Sequence, residues 1–112
     1  MAHFYYKGSR LKVVEDKYYA NDQLAILVFE EVEEDGVKYD EFYGVLTVNL
    51  DDPRCDLMAP PRMQYLDVNN WDNIEEILAD CPWLEKTDIV KQSGFVNYPL
   101  YMFDLDKQKE ED

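Results

Sequence analysis

The sequence predicts an α+β fold, in which an antiparallel β-sheet of five to seven strands carries one amphipathic helix packed on one face. Three observations lead to this fold class: most runs alternate apolar and polar residues, turn sequences separate these runs, and one segment has a helical period. The 112 residues, 46% of them apolar, suffice for one core. We therefore expect a single domain over residues 1–105 and a charged, flexible tail over residues 106–112.

The first half of the chain has the pattern of successive hairpins. A strand that begins near Phe4 is expected to turn at Gly8-Ser9 and to return through alternating residues. The run Leu24–Phe29 is apolar on both faces, which is typical of a strand inside a sheet. Asp35-Gly36 then supplies the positive-φ positions that tight hairpins favour, so the chain is predicted to reverse there.

The return strand contains Gly44, where we expect a β-bulge, and Gly44–Leu50 is predicted to be a second well-buried strand. Three further strands are expected, at residues 63–68, 88–92 and 98–105. Ser93-Gly94 lies between the last two and favours another turn. All of these strands are assigned to one sheet.

One segment departs from the strand period. Its apolar residues recur at the spacing of one helix face: Trp71, Ile74, Ile77, Leu78 and Cys81. Asn70 is a suitable N-cap, and Pro82 ends the pattern. The spacing predicts an amphipathic helix over residues 71–81 that lies on the sheet.

Charge and composition exclude several classes of function. The chain has 11 Lys and Arg against 25 Asp and Glu, a formal net charge of −14. This balance argues against direct nucleic-acid binding and against docking on an anionic membrane, because both need basic side chains. The longest apolar run, Leu24–Phe29, is too short to span a membrane. Cys55 and Cys81 fit no metal or redox pattern, so we expect two structural thiols and a cytoplasmic location.

No catalytic constellation is present in the sequence. His3 is the only histidine, and the four glycines are scattered turn residues that form no phosphate loop. We therefore expect no catalytic residue, no cofactor and no metal site, and we expect that the protein is not an enzyme. A small enzyme that uses carboxylates and tyrosines is the least favoured alternative.

Acidic residues are concentrated around the first predicted long hairpin. The candidate partner-binding residues are Glu30, Glu31, Glu33, Glu34, Asp35, Asp40 and Glu41. Residues i and i+2 of a strand share a face about 6.7 Å apart, so rows of carboxylates would have the few-ångström spacing of duplex phosphates. Nine tyrosines add a residue type enriched at binding hot spots. The alternative is a solvated hairpin whose charges only keep a sheet edge from pairing.

Four motifs carry a resemblance to a known family: LAILVFEE, YGVLTVNL, LDVNNW and SGFVNYPLYMFDL. In this order they resemble a domain-of-unknown-function family of small proteins encoded mainly on plasmids, conjugative elements and phages of gut anaerobes. The family pattern is LTVNL, then VDxNN, then SGFxxYPLYxF. Leu46–Leu50, then Asp67 with Asn69 and Asn70, and finally Ser93–Phe103 match it, and the resemblance spans residues 3–105. It implies no activity, cofactor or catalytic residue.

The sequence and the resemblance together lead to one expected function and one alternative. We expect a small acidic, non-enzymatic binding protein of a mobile element or phage. Its partner would be a protein with a basic surface, and it would inhibit a nucleic-acid-handling defence protein (of the anti-CRISPR or anti-restriction kind) by imitating nucleic acid. The alternative is an accessory protein-interaction module of plasmid or phage maintenance, in which the charge serves solubility. The sequence gives no indication of the oligomeric state.

Overall fold

Eight β-strands form two four-stranded antiparallel sheets in the computed structural model, which describes residues 2–58 and 61–107. The strands are β1 (His3–Tyr6), β2 (Ser9–Lys17), β3 (Leu24–Glu34), β4 (Val37–Val45), β5 (Thr47–Val48), β6 (Met63–Leu66), β7 (Leu84–Ser93) and β8 (Val96–Phe103). One 3₁₀ turn (Pro53–Cys55) and one helical turn, α1 (Ile74–Ile77), lie in the connections. Residues 108–112, which form most of the predicted tail, lie outside the described residues.

The two sheets differ in how their strands are connected. The first is a meander with the order β1-β2-β3-β4, and the second has the order β5-β6-β8-β7. The first and the third hairpin of the meander turn on a two-residue loop, Lys7-Gly8 and Asp35-Gly36, in which both residues have positive φ. Two positive-φ residues twist the chain in the sense of the flanking strands, which explains the tight reversal. The prediction of a turn at Asp35-Gly36 is confirmed.

The predicted α+β class is wrong. The strands form two sheets rather than one, and the longest helix among residues 2–58 and 61–107, α1, has 4 residues. The apolar spacing that suggested a longer helix is real, because Trp71, Ile74 and Leu78 are all buried in the core. They reach the core from a series of turns around α1.

The helix predicted from Asn70 does not form there for local reasons. Asn70 instead bonds back to Asp67: its backbone N–H donates to Oδ1 at 3.2 Å and its Nδ2 donates to Oδ2 at 2.8 Å. Local side-chain hydrogen bonds of this kind compete with helical geometry. Asn73, which precedes α1, has φ of 54°, a left-handed conformation that a continuous right-handed helix cannot contain.

The two sheets meet at Leu46, between β4 and β5. Its backbone N–H donates to the carbonyl oxygen of Ile26 in β3 at 2.8 Å, and its own carbonyl accepts from the N–H of Asp67, just after β6, at 2.9 Å. The chain therefore pairs with β3 up to Val45 and then with β6 from Thr47. The single strand predicted over residues 44–50 is in fact this crossing point.

The main core lies between the sheets. The first sheet contributes Phe4, Tyr6, Leu11, Val13, Leu24, Ile26 and Val28. The second sheet and its connections contribute Leu66, Trp71, Ile74, Leu78, Trp83, Tyr101 and Phe103. A smaller cluster, formed by Cys55, Tyr65, Tyr98 and Leu100, lies on the other face of the second sheet under the 3₁₀ turn. Both faces of the second sheet thus carry apolar packing.

Buried polar side chains join the sheets where their backbones separate. Gln64 of β6 is fully buried, and its Nε2 donates to the carbonyl of Leu24 in β3 at 2.8 Å. Its Oε1 accepts from the N–H of Tyr65 at 2.9 Å. Thr47 acts similarly, because its Oγ1 accepts from the N–H of Ile26 at 3.2 Å. These side chains supply hydrogen-bond partners to buried backbone groups where the two sheets separate.

Replacement of Gln64 by leucine tests whether this side chain helps to join the two sheets. Gln64→Leu removes the side-chain donor to the buried carbonyl of Leu24, so we expect the free energy of unfolding to fall by about 1–3 kcal/mol. Urea denaturation at neutral pH measures the change. The control is Gln92→Leu, at an exposed position, which should change stability by less than about 0.5 kcal/mol. Equal effects of the two substitutions would contradict a role for Gln64 in joining the sheets.

Candidate functional site: an acidic hairpin

The acidic hairpin, residues 30–41, is formed by the distal halves of β3 and β4. Its register is regular, from the pair Glu34–Val37 beside the turn to the pair Glu30–Glu41. Every residue from 33 to 43 is exposed. The protein is correspondingly elongated, with extents of 44 × 29 × 29 Å. This end of the first sheet therefore extends past the core and is accessible on both faces.

The structure brings the seven predicted site residues together on this hairpin. Six of them are exposed, and Glu30 is half-buried. Two successive rungs pair acid with acid directly across the strands, Glu30 with Glu41 and Glu31 with Asp40. Directly opposed residues in an antiparallel pair have Cβ atoms about 5 Å apart. Backbone pairing alone thus holds two pairs of carboxylates close together, one pair on each face of the hairpin.

The carboxylates divide between the two faces of the hairpin, because side chains alternate along a strand. Glu30, Glu34 and Glu41 lie on the face that continues from the core side of the first sheet. Glu31, Glu33 and Asp40 lie on the outer face. The predicted rows of acids therefore exist on both faces, and neither face carries all seven residues.

Among the described residues, the countercharges lie on the outer face. Lys12 of β2 forms an ion pair with Asp40, and Lys38 lies directly across from Glu33. On the core-side face, within the described ranges, no lysine or arginine forms an ion pair with Glu30, Glu34 or Glu41. Glu34 accepts a hydrogen bond from the hydroxyl of Tyr39 at 3.2 Å. The core-side face is therefore the more strongly negative of the two.

Aromatic packing fixes the base of the hairpin to the core. The register of β3 and β4 shifts next to Val28, which confirms the predicted bulge near Gly44. The ring of Tyr43 packs on Trp71 with centroids 5.7 Å apart. A Cβ atom on Gly44 would lie 3.2 Å from Cζ2 of Trp71, so glycine is what allows this indole to approach the backbone. Trp71 also donates from Nε1 to the carbonyl of Val45 at 2.9 Å.

The remaining chemistry of the described residues offers no comparable site. No group of three or more His, Cys, Asp or Glu side chains in these ranges is arranged to hold a metal ion. A cleft of about 690 Å³ is lined by apolar residues, among them Val13 and Phe103, and by four charged residues: Glu15, Arg62, Asp104 and Asp106. Arg62 and Glu15 form an ion pair there. No described helix has the length and apolar character needed to span a membrane.

Cys55 and its neighbours form a buried polar cluster. Burial, with the nearby charge of Asp52, raises the pKa of the Cys55 thiol to about 12. Such a thiol is not ionised near neutral pH and is a poor nucleophile. Asp52 accepts a hydrogen bond from the hydroxyl of Tyr65 at 2.5 Å and another from the N–H of Arg54 at 3.0 Å. Burial opposes ionisation of Asp52, yet these hydrogen bonds hold its pKa below the ordinary value.

Two features of the hairpin were not found by sequence reasoning. The ion pair of Lys12 with Asp40 depends on which strand lies beside β3, and no local pattern indicates that. The contact of Trp71 with Tyr43 and Gly44 joins segments far apart in the chain. A nearby pair of interactions was also missed: Glu75 accepts from the hydroxyl of Tyr101 at 2.6 Å and pairs with Lys86 at 2.9 Å.

Fold and site together define an all-β protein of two packed four-stranded sheets with an exposed acidic hairpin. The chain belongs to the family described as "Domain of unknown function (DUF4313)", whose family model matches residues 11–112. This confirms the expected membership of a domain-of-unknown-function family. No curated protein and no solved structure matches the chain.

The hydrogen bond between Tyr65 and Asp52 gives a pH-dependent prediction. Because the folded-state pKa of Asp52 is lowered, its ionised form contributes stability above the ordinary carboxyl pKa of about 4, and this contribution is lost as the pH falls. We expect Tyr65→Phe to cost about 1–3 kcal/mol at pH 7 and less at pH 3. Chemical denaturation at both pH values measures this. Tyr5→Phe, at an exposed position, is the control. A cost for Tyr65→Phe that does not change with pH would contradict this role of Asp52.

Proposed function

We propose that this protein is a non-enzymatic binding protein whose acidic hairpin engages a basic surface on a protein partner. The observation that carries the proposal is the pair of successive acid–acid rungs, Glu30 with Glu41 and Glu31 with Asp40, on a hairpin that extends past the core. Lys12 is the one cation that forms an ion pair with any of these four residues within the described ranges.

The two acid–acid rungs cost the free protein stability. Like charges placed directly opposite each other on a sheet are destabilising, by an amount on the order of 0.2–1 kcal/mol per pair. Threonine or tyrosine at these positions would remove that cost and would favour the strand. A partner with Lys or Arg side chains would instead turn the repulsion into attraction on binding. The charge distribution of the hairpin is thus typical of a surface that binds a molecule of opposite charge.

The chemical class of the partner follows from the spacing and sign of the charges. Cross-strand acids lie about 5 Å apart and acids along a strand about 6.7 Å apart. A protein surface that binds nucleic acid presents Lys and Arg to phosphates at a similar few-ångström spacing. We therefore propose a nucleic-acid-handling protein as the target and inhibition by imitation of nucleic acid as the mechanism. The mobile-element setting implied by the family resemblance favours a defence protein as that target.

A second candidate function is an accessory interaction module that docks through apolar contacts. The outer face of the first sheet exposes Tyr5 and Phe42, and the ring of Phe42 packs on Phe29 at 5.7 Å between centroids. Large exposed aromatic side chains are enriched at binding hot spots. If this second function is correct, the acidic residues serve only to keep the protein soluble. Its partner affinity would then depend weakly on salt, which distinguishes it from the first function.

Charge reversal on the hairpin tests the proposal. Replacing Glu30, Glu31, Glu33 and Glu34 with lysine changes the net charge from −14 to −6, because each substitution adds two units. A matched variant replaces four exposed acids elsewhere, Glu76, Asp80, Glu85 and Asp88, and gives the same net charge. Both variants and the wild type serve as bait in the lysate of an anaerobic gut bacterium, at low and at high salt, and circular dichroism checks their folding.

We expect a protein captured by the wild type and by the matched variant but not by the hairpin variant. For that protein the hairpin variant should bind at least about a hundredfold more weakly, which corresponds to roughly 2.7 kcal/mol. High salt should weaken the wild-type complex in the same direction. Equal binding by a folded hairpin variant, or binding that salt does not weaken, would contradict the proposal and favour the apolar docking face.

A further inference from the structure

The outer edge of β4 is an open strand edge. In the order β1-β2-β3-β4, the strand β4 has β3 on one side, and no other strand of residues 2–58 and 61–107 pairs with its second side. All residues from Val37 to Tyr43 are exposed. A strand with one unpaired side presents a row of backbone donors and acceptors to another chain.

The hairpin register identifies which backbone groups face outward. Glu34 and Val37 flank a two-residue turn, and residues in that position exchange both of their backbone hydrogen bonds. Hydrogen-bonded and non-hydrogen-bonded pairs then alternate along the hairpin. Val37, Tyr39 and Glu41 therefore bond to β3. The N–H and C=O groups of Lys38, Asp40 and Phe42 point away from it, towards solvent.

The other sheet edges are protected in ways that β4 is not. The carbonyl of His3 in β1 accepts from Nε1 of Trp83 at 3.3 Å. Strand β5 has two residues, and the pairing of β7 is irregular between Lys86 and Val90. Short edges and bulges are the usual protection against unwanted pairing. From Val37 to Phe42, β4 has six residues in regular register with no such interruption.

We propose that β4 accepts an extended strand of a protein partner, which carries Lys or Arg opposite Asp40 and Glu41. This inference rests on the proposed function and names its binding mode: the partner adds a strand to the first sheet, and its basic side chains meet the four acids of the two rungs. Strand addition gives affinity through main-chain hydrogen bonds and specificity through alternate side chains.

Charge complementarity selects a basic strand over a second copy of this chain. Antiparallel pairing of two β4 edges centred on the acids would place Asp40 and Glu41 of one copy against the same residues of the other. Glu30 and Glu31 already lie beside Glu41 and Asp40, so the second copy would bring further carboxylates next to these acids and increase the repulsion. A strand with Lys or Arg at those positions meets opposite charge instead. The exposed rings of Tyr39 and Phe42 lie on opposite faces and supply apolar contact on each side.

The first experiment measures backbone protection with a defined probe, a nine-residue peptide of threonine and lysine in which two central lysines are adjacent, so that a lysine lies on each face of the sheet. The full chain is labelled with ¹⁵N, and amide hydrogen exchange is followed by NMR at low salt. We expect the amides of Lys38 and Asp40 to exchange quickly in the free protein and at least tenfold more slowly with the peptide. The amides of Tyr39 and Glu41, which already bond to β3, should change little.

Two control peptides separate this inference from the proposed function. One carries N-methyl groups on alternate residues, which blocks strand addition but keeps every lysine. The other has glutamate in place of lysine. If the N-methylated peptide binds as tightly as the first one, strand addition is wrong while the electrostatic role of the hairpin stands. If the lysine peptide does not bind at millimolar concentration, both strand addition and the proposed electrostatic role of the hairpin are wrong. Protection of Lys38 and Asp40 without peptide that rises with protein concentration would indicate a second copy as the occupant.

A substitution at Lys38 gives an independent test. Lys38→Pro removes one outward N–H and leaves all seven acids in place, and proline is tolerated on an edge strand where the N–H faces solvent. Lys38→Thr removes the same positive charge but keeps the N–H. Pure electrostatic binding predicts equal affinity of the two variants for the lysine peptide. We expect Lys38→Pro to bind at least tenfold more weakly than Lys38→Thr, with both folded by circular dichroism. Equal affinity would overturn strand addition.

Discussion

The backbone of Leu46 is the point on which the architecture depends, because it takes part in the hydrogen bonding of both sheets. Up to Val45 the chain is the partner of β3, and from Thr47 it is the partner of β6. This crossing lets the inner faces of the two sheets pack on a common core. It also determines where the hairpin stands, since among the described residues nothing beyond the pair Val28–Gly44 forms strand pairs with the second sheet.

Local signals predicted the parts of this fold that depend on local chemistry. The two-residue turn at Asp35-Gly36 sets the register, so the acid–acid rungs follow from the sequence once that turn is recognised. The apolar spacing after Trp71 identified core residues correctly but not their backbone, because the bond from Asn70 to Asp67 and the left-handed Asn73 disrupt the helix. The division into two sheets was not predictable locally, because it depends on long-range pairing at Leu46.

The acidic hairpin combines a rigid base with a strained charge distribution. Tyr43 and Trp71 hold its base against the core, and backbone pairing keeps Glu30 opposite Glu41. A flexible acidic loop could separate its charges, whereas paired strands cannot. Preorganised charges lose little conformational entropy when a basic surface approaches, so the proposed complex would regain the stability given up in the free protein. Both the proposed function and the open edge of β4 rest on this rigidity.

The proposed function requires that the free protein gives up stability to hold these acids opposite each other. A double-mutant cycle on Glu30→Gln and Glu41→Gln, measured by urea denaturation at low ionic strength, tests it most directly. We expect that either single substitution stabilises the protein and that the coupling is repulsive, on the order of 0.2–1 kcal/mol, and smaller at high salt. A coupling of zero, or single variants less stable than the wild type, would contradict it.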